Sequence, residues 1–415
     1  MEFHHKFLYI SFYFPPMGGA EPRHNLSTIR RLYSKGFFPT IVTAPEGYPY
    51  AKDEYLRSLI PPEIEIIRCN WPYKAQKYIN FARKMVKIPE NPLVFAGWKN
   101  LYDPAKQVLK KSPQEFIYSV HGIGAAHLAA LKLKKETGLP WVAEFRDPWA
   151  RNVIAWDYMK SNSWEWWCKY QFQMTEKHLK DVLENADLVV VESPVHKELL
   201  IEDYQADANK VEPLGMGYEE DYFQGVPLAP IAFPRKPVLG FLGSVYFGYE
   251  PAVESLINAL AILEREGFEF TLVCVGGASP VFSRYVKKAG LKSFLPIGTI
   301  NLDSSLGLMK MMDFGVLFGL EHDRTALGSK LWDYLNSNLI LLAVVPPNSM
   351  AARIIADGMC GYMLPYTEHE MVSSIREALN DFKEKRLMPE TSRYVKKYSS
   401  EKMICELSKK IEELL

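Results

Sequence analysis

The most informative segment of the sequence for the fold runs from Phe314 to Val345 and reads FGVLFGLEHDRTALGSKLWDYLNSNLILLAVV. An apolar run, a polar loop, a helix-like segment and a second apolar run follow one another, which predicts a βαβ unit. Gly328 and Ser329 suit the entry and the N-cap of the helix, so Lys330 falls in its first turn. The helix dipole disfavours a cation there by roughly 0.3–1 kcal/mol.

An anion is therefore expected beside Lys330. Exposed backbone N–H groups, the positive end of a helix and an ammonium group together form a phosphate site. Asp333 lies one turn further along the same helical face, where its carboxylate is placed to accept hydrogen bonds from sugar hydroxyls. The alternative needs no ligand, because Lys330 is then a solvated surface charge and Asp333 a first-turn carboxylate favoured by the dipole.

Length and composition narrow the class of protein. The chain has 415 residues, enough for two or three domains. Lys plus Arg and Asp plus Glu both number 49, which argues against nucleic acid as the main partner. The cysteines show no Cys-x-x-Cys or Cys/His spacing, so we expect neither a disulfide framework nor a metal site. With no signal peptide and no apolar run of about 18 residues, we expect a cytoplasmic protein.

The beginning of the chain has the pattern of a doubly wound sheet. Residues Lys6–Phe14 predict a buried strand, a glycine-containing turn follows, a helix ends at Gly36, and Thr40–Thr43 predicts the next strand. Ligands bind at the carboxyl ends of the strands in such sheets, so the Gly18–Gly19 pair is placed to let a ligand approach the backbone. A glycine pair in a turn is also often no more than a turn.

Polar residues follow two further predicted strands. His121 comes after Phe116–Val120, and Arg146 and Asp147 come after Trp141–Phe145. These side chains are candidates for a site at the carboxyl edge of the sheet. The alternative is a simple turn before Pro148 and a loop histidine whose hydrogen bonds are satisfied locally.

The second half repeats the α/β pattern after a proline-rich stretch. Residues 224–237 contain four prolines and little periodicity, which is typical of an extended linker. A new series of strands and helices starts at Val238. The predicted organisation is a first domain, a linker, a second domain and a C-terminal helix, with bounds 1–223, 224–237, 238–398 and 399–415.

One segment has the composition of a membrane-surface helix. Residues 71–88 combine lysines and arginines with aromatic side chains and contain no acidic residue. Such a segment can lie on an anionic membrane, although a solvated helix that packs its aromatic residues on the domain explains it as well. A second aromatic group lines either an acceptor site or the core: Trp156, Trp164, Trp166, Trp167 and Tyr170.

Several motifs together resemble the family 4 glycosyltransferases over nearly the whole chain. These are the early glycine pair, TGLPWVAEFRDPW at 137–149, GMGYEEDYF at 215–223, GFLGSVYFGYEP at 240–251 and SKLWDYL at 329–335. The chain is most similar to the branch that carries FRDPW and a Ser-Lys-Leu-x-Glu-Tyr-Leu element. The resemblance implies an α/β GT-B fold, in which two doubly wound Rossmann-like domains face a central cleft. It also implies that the C-terminal helix, 399–415, packs back on the first domain.

The resemblance also implies the activity. It predicts a retaining, metal-independent glycosyltransferase that moves a sugar from a nucleoside-diphosphate sugar to a saccharide or lipid-linked hydroxyl acceptor, with no further cofactor. Arg146, Asp147 and His121 would orient groups in the cleft, and Lys330 would stabilise the departing diphosphate. The donor-binding residues implied are Gly18, Gly19, Gly243, Ser244, Ile297, Thr299, Arg324, Thr325, Gly328, Ser329, Lys330 and Asp333.

Two positions depart from the family pattern. Thr325 stands where many members have the first glutamate of a Glu-x7-Glu pair, and Tyr249 replaces a basic residue expected after the first strand of the second domain. These departures leave a catalytically silent scaffold open as one alternative. A nucleotide-sugar epimerase or phosphorylase is another, because it would use the same nucleotide or phosphate site. For the acceptor we expect a lipid-linked saccharide of cell-surface assembly, with the protein peripheral on the inner face of the membrane through residues 71–88.

Overall fold

The computed structural model describes residues 5–71, 97–150, 165–214, 217–219, 224–246, 248–325, 327–386 and 396–415, with the backbone alone for 165–171, Ser329 and Lys396. Its regular elements belong to two compact units. The first unit contains residues 1–216 and 400–415, and the second contains residues 217–399. Each unit is built around one parallel sheet.

The first unit has a seven-stranded sheet in the order β3-β2-β1-β4-β5-β6-β7. Its strands are rich in apolar and β-branched residues and are mostly buried, as expected for a parallel sheet covered by helices on both faces. The strands are β1 His5–Ile10, β2 Phe37–Thr43, β3 Glu65–Arg68, β4 Phe116–His121, β5 Trp141–Phe145, β6 Leu188–Val191 and β7 Val211–Glu212. The helices are α1 Ala20–Ser34, α2 Glu54–Ser58, α3 Trp98–Lys111, α4 Ala125–Thr137, α5 Glu165–Asn185 and α6 Pro194–Tyr204.

The second unit has a six-stranded sheet in the order β10-β9-β8-β11-β12-β13. Its strands are β8 Val238–Leu242, β9 Thr271–Val275, β10 Phe294–Ile297, β11 Phe314–Phe318, β12 Ile340–Val344 and β13 Gly361–Met363. Its helices are α7 Glu250–Arg265, α8 Ser279–Ala289, α9 Leu302–Met309, α10 Ser329–Asn336, α11 Met350–Gly358 and α12 Glu368–Lys383. The unit predicted from Phe314 to Val345 is β11, α10 and β12, with β11 and β12 paired in parallel.

The end of the chain returns to the first unit. Helix α13, Ser400–Glu412, follows a short 3-10 helix at Lys396–Tyr398 and is grouped with the first unit. Glu401 lies 3.1 Å from Arg31 and 2.6 Å from Lys35, which belong to the end of α1. Ile404, Leu407 and Ile411 form the buried face of the helix.

The proline-rich stretch is anchored to the second unit rather than left as a free linker. The carbonyl oxygen of Val226 accepts a hydrogen bond from Lys310 Nζ at 2.8 Å, and the backbone N–H of Ala229 donates to Gly307. The N–H of Arg235 donates to Thr271 Oγ1 at 3.2 Å. The proline content of the stretch does not predict these hydrogen bonds, because their partners belong to elements that are distant in the sequence.

The fold class predicted from the sequence is confirmed: both sheets are parallel and alternate with helices. In each sheet the chain adds strands in one direction from a central pair and then in the other. The central pair is β1 and β4 in the first unit and β8 and β11 in the second. Ligands of doubly wound sheets bind at the carboxyl ends of such a pair, at the switch point.

Candidate functional site

The switch point of the second unit is built from glycine turns. Strand β8 ends at Leu242, and Gly243 follows with φ +118°, a conformation that side chains other than glycine rarely adopt. The N–H of Gly243 donates to Val275 at 2.8 Å, and its carbonyl oxygen accepts from Ala278 at 2.8 Å. Gly276, with φ +91°, packs so closely that an added Cβ atom would lie 3.1 Å from the Gly243 oxygen. The two turns therefore form one surface.

Several backbone N–H groups at this surface have no acceptor. Within the described residues, the N–H groups of Ser244 and Gly277 donate no hydrogen bond. Helix α10 begins beside them, and no side chain caps its start at Gly328. The N–H of Leu331 donates to Gly328 at 3.0 Å, whereas that of Lys330 has no acceptor within the described residues. We call the set Gly243, Ser244, Gly277 and Lys330 the glycine cradle. Unsatisfied N–H groups at a helix start attract an anion.

Lys330 reaches into the cradle from the first turn of α10. A Cβ atom added to Gly243 would lie 2.7 Å from Lys330 Cε and 3.0 Å from Nζ, so the absence of a side chain at Gly243 makes room for the ammonium group. Its Nζ atom also lies 4.2 Å from the ring centroid of Phe241, within range of a cation–π interaction. No carboxylate pairs with Lys330 within the described ranges.

The surroundings of Lys330 disfavour its charge. Burial lowers the pKa of Lys330 to about 8, with a small opposing effect from Cys274. A cation that is removed from water and given no carboxylate is stabilised when an anion binds next to it. The cradle therefore has the chemistry of a phosphate site.

Asp333 lies on the same helix and is buried, with 6% of its surface exposed. The next residue, Tyr334, accepts a hydrogen bond from the N–H of Leu242 at 3.1 Å, and its ring fills the space beside Gly315. These contacts hold α10 against the end of β8 and the start of β11. The backbone of Ser329 forms the first turn of the helix.

The loop between β11 and α10 contains Arg324 and Thr325. Thr325 is buried and donates from its hydroxyl to Asp323 at 2.8 Å. Arg324 accepts a hydrogen bond from Met350 at its carbonyl oxygen, while its buried Nε atom has no hydrogen-bond partner among the described residues. A buried guanidinium nitrogen without a partner is uncommon, and a bound anion would satisfy it.

Two other predicted positions lie around the same turns. The carbonyl oxygen of Ile297, at the end of β10, accepts from Ser279 Oγ at 2.7 Å and from the N–H of Gly276 at 3.0 Å, so β10 is tied to the glycine turn. Thr299 is exposed in the loop that follows. Tyr249, one of the two departures, is buried and packs near Phe318 with ring centroids 6.3 Å apart.

In the first unit the glycine pair lies at the switch point of its own sheet. The N–H of Gly18 donates to Ala51 at 2.7 Å, and Gly19, with φ +107°, stands at the start of α1. Tyr50 lies beside Gly19, with its hydroxyl 3.7 Å from the position of an added Cβ atom. His121 ends β4, while Arg146 and Asp147 follow β5. The side chain of Arg146 is buried, and that of Asp147 is exposed.

A buried charge network supports Arg146, and the sequence analysis did not identify it. Glu144 points inward from β5, with its Oε1 atom 2.6 Å from His24 Nε2 and 3.8 Å from Arg146 Nη1. The hydroxyl of Tyr118 donates to its other oxygen at 2.8 Å. Burial alone would raise the pKa of Glu144, but His24, Arg146 and Tyr118 together hold it below its ordinary value. An acidic residue inside an apolar strand was the available signal.

Two further histidines lie near the carboxyl edge of this sheet: His121 at the end of β4 and His196 in the first turn of α6, after β6. Burial, followed by the effect of His196, lowers the pKa of His121 to about 3, so the imidazole is neutral. His196 Nδ1 lies 2.9 Å from Glu192 Oε2, and both residues are buried. Burial raises the pKa of Glu192, with His196 opposing this effect. This pair was not predicted from the sequence.

Some predictions lie outside the described residues. These are the segment 71–88 beyond Trp71, the tryptophans at 156 and 164, and the side chains of Trp166, Trp167 and Tyr170. Trp71 itself is buried, with its ring edge-on to Phe12. In the described ranges, no three His, Cys, Asp or Glu side chains are grouped as metal ligands. None of the helices there has both the length and the apolar composition that a membrane span needs.

Solved structures resemble this fold along its whole length. A glycosyltransferase from Rickettsia africae is 15% identical with a TM-score of 0.66, covering 99% of this chain and 98% of its own. Anabaena HepE, solved with UDP-glucose, is 14% identical with a TM-score of 0.63, covering 99% and 100%. A Listeria monocytogenes protein assigned as a UDP-N-acetylglucosamine 2-epimerase is 11% identical with a TM-score of 0.60, covering 99% and 96%.

No protein-family model and no curated protein matches the sequence. Similarity at these levels of identity concerns the fold. The chain has two parallel doubly wound sheets, and its fold matches a solved glycosyltransferase over nearly the whole length of both chains. The chain therefore has the GT-B fold.

Proposed function

We propose that this chain is a retaining glycosyltransferase that transfers a sugar from a nucleoside-diphosphate sugar to a hydroxyl acceptor. The observation that carries the proposal is the position of Lys330 against Gly243 at the switch point of the second unit. A cation without a carboxylate partner, next to unsatisfied N–H groups, fits a diphosphate. The fold shared with a protein solved in complex with UDP-glucose supports a nucleotide-sugar donor.

In this proposal the glycine cradle stabilises the diphosphate as it leaves the sugar. The bond between the anomeric carbon and the diphosphate oxygen breaks, the anomeric carbon bonds to the acceptor oxygen, and the acceptor proton moves to a diphosphate oxygen. Negative charge grows on the diphosphate, where Lys330 and the N–H groups of Ser244 and Gly277 stabilise it. Asp333 holds the ribose, and Ile297 and Thr299 lie against the base.

In the first unit, Arg146, Asp147 and His121 orient the reacting groups in this proposal. Glu144 and His24 contribute indirectly, because His24 holds the carboxylate of Glu144, which lies beside the guanidinium group of Arg146. A neutral His121 is suited to hydrogen bonding rather than to charge stabilisation. No protein nucleophile is assigned.

The test is a donor-consumption assay with a panel of UDP-sugars and GDP-sugars. Lys330→Ala should lower kcat/KM by about 10²–10³, because it removes a contact to charge that grows in the transition state. Lys287→Ala is the matched control, since Lys287 is an exposed lysine of the same unit. Unchanged kcat/KM in a folded Lys330→Ala protein would contradict the proposed role.

A second candidate is a nucleotide-sugar epimerase, which the fold shared with the Listeria protein favours. An epimerase needs no acceptor and leaves the sugar attached to the diphosphate. Proton NMR of UDP-N-acetylglucosamine incubated with the protein alone separates the two functions. Appearance of the 2-epimer would establish the second candidate, whereas its absence together with sugar transfer supports the first.

For the acceptor we propose a lipid-linked saccharide, bound by a cytoplasmic protein that contacts the membrane surface. The support is the composition of residues 71–88, which carry basic and aromatic side chains without an acid. Co-sedimentation with vesicles should be stronger for anionic than for neutral lipid at low salt, because salt screens the attraction. Equal sedimentation with both lipids would remove this part of the proposal.

A further inference from the structure

A carboxyl group outside the glycine cradle lies at the switch point of the first unit. Glu21 stands in the first turn of α1, directly after the Gly18–Gly19 turn. Its Oε2 atom is 2.9 Å from the position that a Cβ atom on Gly122 would occupy, and Gly122 follows β4. Because β1 and β4 form the central pair of the sheet, Glu21 lies where doubly wound sheets bind ligands.

Aromatic rings and a cation surround this carboxyl group. The ring of Tyr13, from the loop after β1, lies on the same side of Gly122, 2.5 Å from the added Cβ position. Tyr50 packs against Tyr13 with ring centroids 5.4 Å apart and is 41% exposed. Arg146 and Asp147, which follow β5, act on the charge of Glu21. Among the described residues, none makes a hydrogen bond to this carboxyl group.

The surroundings keep the group protonated near neutral pH. Burial and then Asp147 raise the pKa of Glu21 to about 8, against the opposing effect of Arg146. Burial, and next the charge of Glu21, raises the pKa of Tyr13, so this phenol is neutral as well. A neutral carboxyl group offers one O–H donor and one carbonyl acceptor. A sugar hydroxyl, itself a donor and an acceptor, can engage both, while tyrosine rings offer faces for its C–H groups.

We propose that Glu21 binds a hydroxyl group of a saccharide at this edge of the first unit, donating one hydrogen bond and accepting another. The inference rests on the proposed function, because the saccharide is taken to be the acceptor of the transferase. A bound saccharide removes further water from the carboxyl group, which disfavours its charged form still more. The bound state therefore holds the proton more tightly, and binding weakens as the pH rises above about 8.

The experiment is saturation-transfer NMR with methyl glycosides of glucose, galactose and N-acetylglucosamine as probes. At least one glycoside should bind the wild-type protein near neutral pH and bind about tenfold more weakly one pH unit above the pKa of Glu21. Glu21→Gln should bind it equally at both pH values, because the amide keeps a donor and an acceptor without titrating. Glu21→Ala should bind weakly at both.

The control is Glu54→Gln, which changes an exposed first-turn glutamate of α2 in the same unit and should leave binding as in the wild type. Titration of UDP and GDP into the same samples reports the donor site separately. Three results would overturn the inference: no glycoside binding, wild-type binding independent of pH, or loss of binding in Glu21→Gln as complete as in Glu21→Ala. If instead neither nucleotide binds the wild type, the proposed function itself fails.

Discussion

At the scale of single residues, the charge of Lys330 lowers the stability of the protein without ligand, and in our proposal the same charge binds the diphosphate. Its ammonium group is removed from water and has no carboxylate partner among the described residues. The lowering of its pKa to about 8 reflects the free energy needed to keep this group charged inside the protein. The face of the Phe241 ring offsets part of that cost, by roughly 0.5–2 kcal/mol. A pKa below the ordinary lysine value means that the unfolded chain holds the proton more tightly between about pH 8 and pH 10.5. Stability therefore rises with pH across that window.

We accordingly expect Lys330→Met to stabilise the protein without ligand. Methionine keeps an unbranched chain of similar length and removes the buried charge, so the free energy of unfolding near pH 7 should rise by about 1–3 kcal/mol. The gain should shrink as the pH is raised above 8, where the wild-type lysine itself loses its proton. Denaturant unfolding at several pH values, with Lys287→Met as the control, measures both effects. A less stable Lys330→Met protein at pH 7 would show that the ammonium group has an intramolecular partner.

At the scale of elements, the turn at Gly243 after β8 leaves the space that the Lys330 side chain occupies. Gly243→Ala should be harmful in two ways, because φ +118° strains an alanine and its Cβ atom would lie 2.7 Å from Lys330 Cε. Gly267→Ala provides the matched control, since Gly267 has φ +92° with no atom within 4 Å of an added Cβ. Both variants should lose about 1–3 kcal/mol of stability from backbone strain. Only Gly243→Ala should also weaken binding of a nucleoside diphosphate, by at least about tenfold.

Two measurements on both variants distinguish backbone strain from loss of a ligand contact. Denaturant unfolding reports the strain, and calorimetric titration of UDP and GDP reports the nucleotide affinity. Equal nucleotide affinities in Gly243→Ala and Gly267→Ala would mean that the turn after β8 does not touch the ligand. Loss of affinity in both would point instead to a general effect of backbone strain on the second unit.

The elements also show what could be predicted from the sequence. Buried parallel strands appear as apolar runs, so Trp141–Phe145 has the bounds that were predicted, and the second series of strands starts at Val238 as predicted. The first strand ends at Ile10 rather than Phe14, because Ser11 to Phe14 already belong to the loop, where Tyr13 accepts from Ser11 and Asn25. Strands as short as β7 and β13 have too few residues to show a recognisable pattern of apolar and polar side chains.

The candidate sites were predictable only in part, because the contacts that build them join elements that are distant in the sequence. Lys330 was identified because a cation in a first helical turn is locally unfavourable. Its contact with Gly243 depends on the pairing of β8 with β11, which no local pattern reports. In the same way, Glu144 was visible as an acid in an apolar strand, but its partners His24 and Tyr118 come from other elements.

At the scale of the whole molecule, the chain consists of two units with separate cores and separate switch points. The sequence predicted two such halves from the repetition of the strand, turn and helix pattern. The structure divides them after Met216 and groups the last helix with the first unit. In our account the nucleoside diphosphate binds to elements of the second unit, so the effect of nucleotide binding on hydrogen exchange should start there.

Hydrogen exchange with and without saturating UDP or GDP is the sharpest test of whether the glycine cradle binds a nucleoside diphosphate. We predict slower exchange at 242–246, 276–279 and 328–334, because the unsatisfied N–H groups of the glycine cradle and the start of α10 would then bind phosphate oxygens. Lys330→Ala should lose this protection at the same nucleotide concentration, and Lys287→Ala should keep it. A nucleotide that binds by calorimetry but leaves these three segments unprotected would contradict the account.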